Sequence, residues 1–199
     1  MPKTHAATGC EPFSSGEEMI RGSCFTLRHV QKEDLPTYLS LHNDLVARGD
    51  YLPLDLMLHG AAEKKIEEER FSKDLRETFL IVDDTNEIIG SVFHFKTVPY
   101  FNSREIGYGM YKQQARGKGM MTESVKILTS YLFKTLQINR LEIHTHIENH
   151  ASEKVAIKCG FLKEGIARGA HFSRGQHVDI AMYALLRGEW EQLPWRDLP

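Results

Sequence analysis

Apolar residues recur along this chain at two distinct periods. Met121, Val125, Leu128, Leu132 and Leu136 follow one another at steps of four and three, which predicts one buried face of a helix over about 117–136. Residues 140–147 alternate strictly instead, with Leu141, Ile143, Thr145 and Ile147 on one side and Glu142, His144 and His146 on the other. That period of two predicts a strand. Alternation over 24–30 predicts the first strand, and further strands are expected at 79–82, 88–98, 105–111, 165–172 and 177–186. A helix is expected from Gln31 onward, with Leu35, Leu39 and His42 on one face, and a charged helix over 60–76. Asn149 and Ser152 open a short helix carrying Ala151, Val155 and Cys159, stopped by Gly160. Residues 44–57, punctuated by Gly49 and Pro53, read as irregular. Residues 1–20 are small and polar and read as a flexible tail, leaving 21–199 as a single domain. The order β-α-α-β-β-β-α-β-α-β-β predicts a mixed sheet with helices on both faces.

Composition narrows the function classes. The 199 residues suffice for one well-buried core, and 41% hydrophobic with 26% charged residues is ordinary for a globular domain. A net charge of −2 argues against a broad footprint for nucleic acid or an anionic membrane. No apolar run approaches the roughly 20 residues that span a bilayer, and the N-terminus lacks the apolar core of a secretory signal. Cys10, Cys24 and Cys159 are odd in number and scattered, so reduced thiols and a cytoplasmic location are expected.

The candidate chemistry starts at residues 113–119, where a glycine-bearing turn separates a strand from the long helix. The first turn of a helix has unpaired N–H groups and partial positive charge, which suit a phosphate. Gly117 and Gly119 let the backbone approach an anion, and Arg116 and Lys118 add positive charge. The GxxxxGK[ST] and GxGxxG patterns are both absent. What stands there is Gln114-Ala115-Arg116-Gly117-Lys118-Gly119, a Q-x-x-G-x-G run.

That run resembles the acetyl-coenzyme A pyrophosphate loop of the GNAT superfamily of N-acetyltransferases. RGKGMMTES at 116–124, Asn149 with Ser152, and then Cys159-Gly160-Phe161 and Glu164-Gly165 resemble its RimJ/RimL-type branch, the ribosomal-protein N-terminal acetyltransferases. HVDIAMYALLRGEW resembles that branch's last strand, so the resemblance covers about 24–190. It implies an α/β (α+β) GNAT fold, a mostly antiparallel central sheet splayed between the fourth and fifth strands, here 105–111 and 140–147. It implies acetyl-CoA as co-substrate, with the acetyl group passing to a primary amine. The amine implied first is the α-amino group of a protein N-terminus. A small amine such as an antibiotic, a nucleotide-linked toxin or a polyamine is the alternative, and a non-catalytic acetyl-CoA-binding module is a third.

The resemblance also distributes roles. Residues Gln114 to Gly119 and Met120 would hold the pyrophosphate, and main-chain groups of Gly109, Met110 and Tyr111 would pair with the pantetheine. Gly107 and Gly109 equally fit a bulge or a close backbone approach. Asn149 would contact the cofactor, and Ser152 would lie near the sulfur; both also suit a helix cap. His171 falls where the branch can carry a glutamate base, and Glu105 occupies a site used as base elsewhere in the superfamily. Glu105 equally fits a strand-end charge. Tyr51 would line the acceptor pocket or pack, and His144 and His146 would face the acceptor cleft or solvent. Two histidines at i, i+2 with no independent third ligand make a metal site improbable. The protein is expected as a monomer or homodimer, given an exposed edge at the final strands.

Overall fold

A computed structural model of the chain describes residues 19–52, 54–71 and 76–199. The expected tail lies outside this range as far as residue 18. Met19 and Ile20, expected within that tail, belong to a short strand, β1 (Met19–Arg21). Then come β2 (Thr26–His29), α1 (Leu35–Asn43), α2 (His59–Phe71), β3 (Arg76–Val82), β4 (Ile88–Phe95) and β5 (Ser103–Met110). The second half holds α3 (Met120–Thr135), β6 (Arg140–His146), α4 (His150–Lys158), β7 (Leu162–Ser173), β8 (Gln176–Leu186) and a closing turn of helix, α5 (Arg187–Trp190). Neither β1 nor α5 carries a periodic signal, because three or four residues are too few to show one.

The eight strands form one sheet in the order β1-β2-β3-β4-β5-β6-β8-β7. Every pairing is antiparallel except that of β5 with β6. The expected mixed, mostly antiparallel sheet is therefore present, with helices on both faces.

The two faces have separate cores. On one, Met121, Val125, Leu128 and Leu132 of α3 are all buried in one cluster with Leu141 and Ile143 of β6, Ala156 of α4 and Cys159 at its C-cap. Burying each Leu, Ile or Val side chain contributes on the order of 1.5–3 kcal/mol, so α3 is held chiefly by this stripe. On the other face Tyr38 of α1 packs with Leu80, Val82 and Tyr111, backed by Ile66 of α2. In α1 the buried residues are Leu35, Tyr38 and Leu39; His42, expected on that face, is only half-buried. Pro36 is tolerated because it lies in the first turn, where no N–H partner is lost.

The break that matters lies between β5 and β6. They pair only at Ser103↔Arg140, Arg104↔Leu141 and Glu105↔Glu142. Beyond that rung β5 stays with β4 as far as Met110 and β6 stays with β8 as far as His146. Each strand keeps its outer partner, so the two halves of the sheet diverge. These are the strands read from sequence as fourth and fifth.

Candidate active site

The glycine turn sits at the mouth of this splay. A 3₁₀ turn over Gln113–Ala115 delivers the chain to Gly117 and Gly119, whose φ values are 77° and 85°. A Cβ at either position would meet nothing within 4 Å, so the left-handed backbone is what requires glycine here. Gly119 is the N-cap of α3 and no side chain caps it. Among the described residues no acceptor is paired with the N–H groups of Gly117, Lys118 or Gly119. Unpaired donors at the positive end of a 16-residue helix fit a pyrophosphate.

A cleft of about 680 Å³ opens beside this turn. Of the expected cofactor residues, Gly109, Met110, Ala115, Arg116, Gly117, Gly119, Met120, Asn149 and Ser152 line it, and so does Tyr51. Gln114 and Lys118 are exposed and do not line it. Tyr111 points away: its hydroxyl lies 2.8 Å from Ser91 Oγ within the opposite core, and its N–H is taken by Ile89 O. Its main-chain donor is thus unavailable to a pantetheine, because β4 already uses it. Arg116 donates to the carbonyls of Ala47 and Met110, tying the 44–57 segment to the end of β5. Three cations absent from the sequence reading, Arg48, Lys154 and Lys158, also line the cleft. The spacing of Lys154 and Lys158, one turn apart on a helix opened by Asn149, was the legible signal.

On the α4 side of the sheet, Asn149 Oδ1 accepts from Ser152 N at 3.1 Å, so Asn149 caps α4. The Ser152 hydroxyl faces Tyr108 Oη at 2.9 Å. Tyr108, half-buried and lining the cleft, was not singled out by sequence. Burial pushes its phenol well above the usual value, against the pull of Ser152.

The opposite side of the splay carries charge. His144 Nδ1 lies 3.0 Å from Glu105 Oε2, and His144 Nε2 lies 3.6 Å from Glu142 Oε2, an ion-pair separation too long for a hydrogen bond. The hydrogen bond to Glu105 raises the His144 pKa against the opposing effect of burial. Arg140 joins Glu142 to Glu164. One strand step further, the Tyr51 and His146 rings are 5.2 Å apart, and Leu52 approaches Gly109. Gly107 is a close approach: a Cβ there would lie 2.4 Å from the Phe93 ring.

His171 lies on β7 opposite Val178, after a bulge that separates it from Ala167. It does not line the cleft, and β8 stands between its strand and β6. However, Arg174 at the tip of the same hairpin donates to the carbonyls of Gly49 and Asp50 at 2.8 and 3.0 Å. The hairpin is thereby tied to the segment that carries Tyr51. Among the described residues no hydrogen-bond or ion-pair partner engages the His171 ring. The described residues also bring together no group of three metal-ligating side chains, and no described helix is long and apolar enough to cross a membrane.

A mixed sheet splayed beside an uncapped, glycine-opened helix defines the acyl-CoA-dependent acetyltransferase class. Residues 25–162 match the family model described as "Acetyltransferase (GNAT) domain", and the chain belongs to this family of N-acetyltransferases, which take acetyl-CoA as co-substrate. The candidate ribosomal N-acetyltransferase YdaF of Bacillus subtilis (strain 168) is 40% identical over 87 residues, 44% of this chain and 47% of that protein. The [Ribosomal protein uS5]-alanine N-acetyltransferase of Escherichia coli (strain K12) is 32% identical over 109 residues, 54% of this chain and 55% of its own. The matches thus span about half the length of these curated relatives. A solved structure of RimL, a ribosomal L7/L12 alpha-N-protein acetyltransferase in complex with coenzyme A, superposes with a TM-score of 0.74 at 22% identity. That comparison covers 85% of this chain and 98% of the other, and it shows the shared fold.

Proposed function

We propose that the protein transfers the acetyl group of acetyl-CoA to the α-amino group of a protein N-terminus. The observation that carries this reading is the splay itself, with an anion-binding helix end on one side and an acceptor face on the other. The similarity to ribosomal-protein acetyltransferases supports the choice of acceptor. In this reading the N–H groups of residues 117–119 hold the pyrophosphate, with Lys154 and Lys158 supplying charge, and the pantetheine runs past Gly109 and Met110. Asn149 fixes the first turn of α4, and Ser152 faces the departing sulfur. The amine enters from the face of Tyr51, His146 and Glu105, and His171, which stands outside the cleft, takes its proton through intervening water. Cys24 and Cys159 are free thiols, in keeping with a cytoplasmic protein.

A second reading keeps the chemistry and exchanges the acceptor for a small polyamine. It is favoured by the two carboxylates, Glu105 and Glu142, gathered at the foot of the splay. The test is to supply labelled acetyl-CoA with an extract from cells lacking the protein and to identify the labelled product. Label on the N-terminal residue of a protein sustains the first reading. Label confined to small amines moves the acceptor to the second, and no label above an enzyme-free control removes both.

A further inference from the structure

Three side chains, Asn149, Tyr183 and Tyr108, fix the first turn of α4. Asn149 caps it, Tyr183 of β8 donates to Glu153 Oε1 at 2.8 Å, and Tyr108 of β5 reaches Ser152 twice. The Tyr108 Oη lies 2.9 Å from Ser152 Oγ and 3.2 Å from the Ser152 carbonyl oxygen. Both residues line the cleft. Strand alternation sends Tyr108 to the α3/α4 side of the sheet while Glu105, Gly107 and Gly109 face the other. The pair therefore stands across the splay from the acceptor face, on the side where the leaving sulfur would lie.

We propose that Tyr108 is a positioning residue for thiolate departure, acting through Ser152. The inference rests on the acetyl-transfer reading above. The amine nitrogen forms the new C–N bond, the C–S bond breaks, and the amine's surplus proton passes to the base. The sulfur leaves with the bonding pair as a thiolate and takes its proton afterwards from solvent. During departure Ser152 donates its hydroxyl hydrogen to the sulfur, and the single Tyr108 hydroxyl hydrogen, which also faces the Ser152 carbonyl oxygen at 3.2 Å, goes to the nearer Ser152 Oγ at 2.9 Å. Oγ then already accepts one hydrogen bond, so its own hydrogen is turned toward the cleft and its donor strength is increased. The phenol suits the task because its burial keeps it neutral, with a hydrogen to give. A hydroxyl free to rotate would spend part of its time donating back to the phenol, which stabilises nothing on the sulfur.

The test is a double-mutant cycle on the full chain, with acetyl-CoA and the acceptor found for the wild type, or otherwise a panel of primary amines that includes N-terminal peptides and polyamines. Tyr108→Phe keeps the ring and removes only the hydroxyl. Its kcat should fall about tenfold with the acetyl-CoA Kd, measured by calorimetry, unchanged, the pattern of an interaction made in the transition state. Ser152→Ala should fall further, and adding Tyr108→Phe to it should cost nothing more. Independent, multiplying losses would overturn the proposal, as would an unaltered kcat in Tyr108→Phe. If Tyr108→Phe does not bind acetyl-CoA, 3-fluorotyrosine at position 108 replaces it. That more acidic phenol is the stronger donor, so turnover should rise, whereas an unchanged rate would mean that the ring only packs. A wild-type protein that releases no thiol with any amine defeats the acetyl-transfer reading and this inference with it. Turnover by the wild type with additive losses defeats the inference alone.

Discussion

His144 donates to Glu105 across the last rung at which β5 and β6 still pair, with 3.0 Å between Nδ1 and Oε2. This contact joins the two strands where the backbone ladder ends, and it raises the His144 pKa through the hydrogen bond to Glu105. A raised histidine contributes stability that is fully present below its unfolded value of about 6.5 and is lost as pH rises through the folded value. The stability difference between wild type and His144→Gln should therefore shrink above neutrality. Denaturant unfolding between about pH 6 and pH 9 checks this, and a difference that grows with pH would contradict it.

The same contact bears on the base. Glu105 is committed to an ion pair, whereas the His171 ring has no such partner among the described residues. We expect His171→Gln to slow turnover by about 10²–10⁴-fold, the range for a lost general base. Glu105→Gln should cost less than about tenfold. Steady-state kinetics on both variants decides between them, and the reverse ranking would transfer the assignment to Glu105.

A buried cluster at the other end of the sheet predicts acid sensitivity. Glu77 sits between His29 and His94 at 2.8 and 3.1 Å. Burial alone would raise its carboxyl, but hydrogen bonds from His29 and His94 outweigh this and hold it at about 2. The stability it contributes is present above the ordinary value of 4.5 and is lost as pH falls from there toward about 2. Such a shift corresponds to at most about 3 kcal/mol. Glu77→Gln should lower stability at neutral pH and flatten the acid limb of a denaturation series.

Gly119→Ala places a Cβ on backbone with φ of 85° at the N-cap of α3. The strain should cost about 1–2 kcal/mol of stability. In the folded fraction the acetyl-CoA Kd should rise as well, because the unpaired N–H groups of the turn are displaced. Thermal unfolding and calorimetry separate the two effects. A lowered stability with unchanged Kd would detach the loop from cofactor binding.

Arg174 links the β7–β8 hairpin to Gly49 and Asp50. Arg174→Ala should raise the acceptor KM severalfold and change the acetyl-CoA Kd less, because the link holds the segment that carries Tyr51. Equal changes in both would place the hairpin's influence on the whole cleft.

Much of this protein was determined by local sequence. The α3 stripe from Met121 to Leu132, the alternation of β6, the Asn149 cap and the turn at Gly117 and Gly119 each depend on residues within a few positions of one another. Their period or backbone requirement is therefore visible in the string itself. Tertiary structure decided what depends on distant partners. Nothing near Tyr108 in sequence indicates Ser152, 44 residues on, and nothing near Glu105 indicates His144. Arg116 reads as a phosphate ligand in its motif, yet a carbonyl 69 residues away shares its guanidinium. Tyr111 sits in a run that promises a free strand edge, and only the register with β4 shows its N–H already taken. A hydrogen bond needs two groups within about 3 Å, and the fold alone determines which distant residues meet that distance.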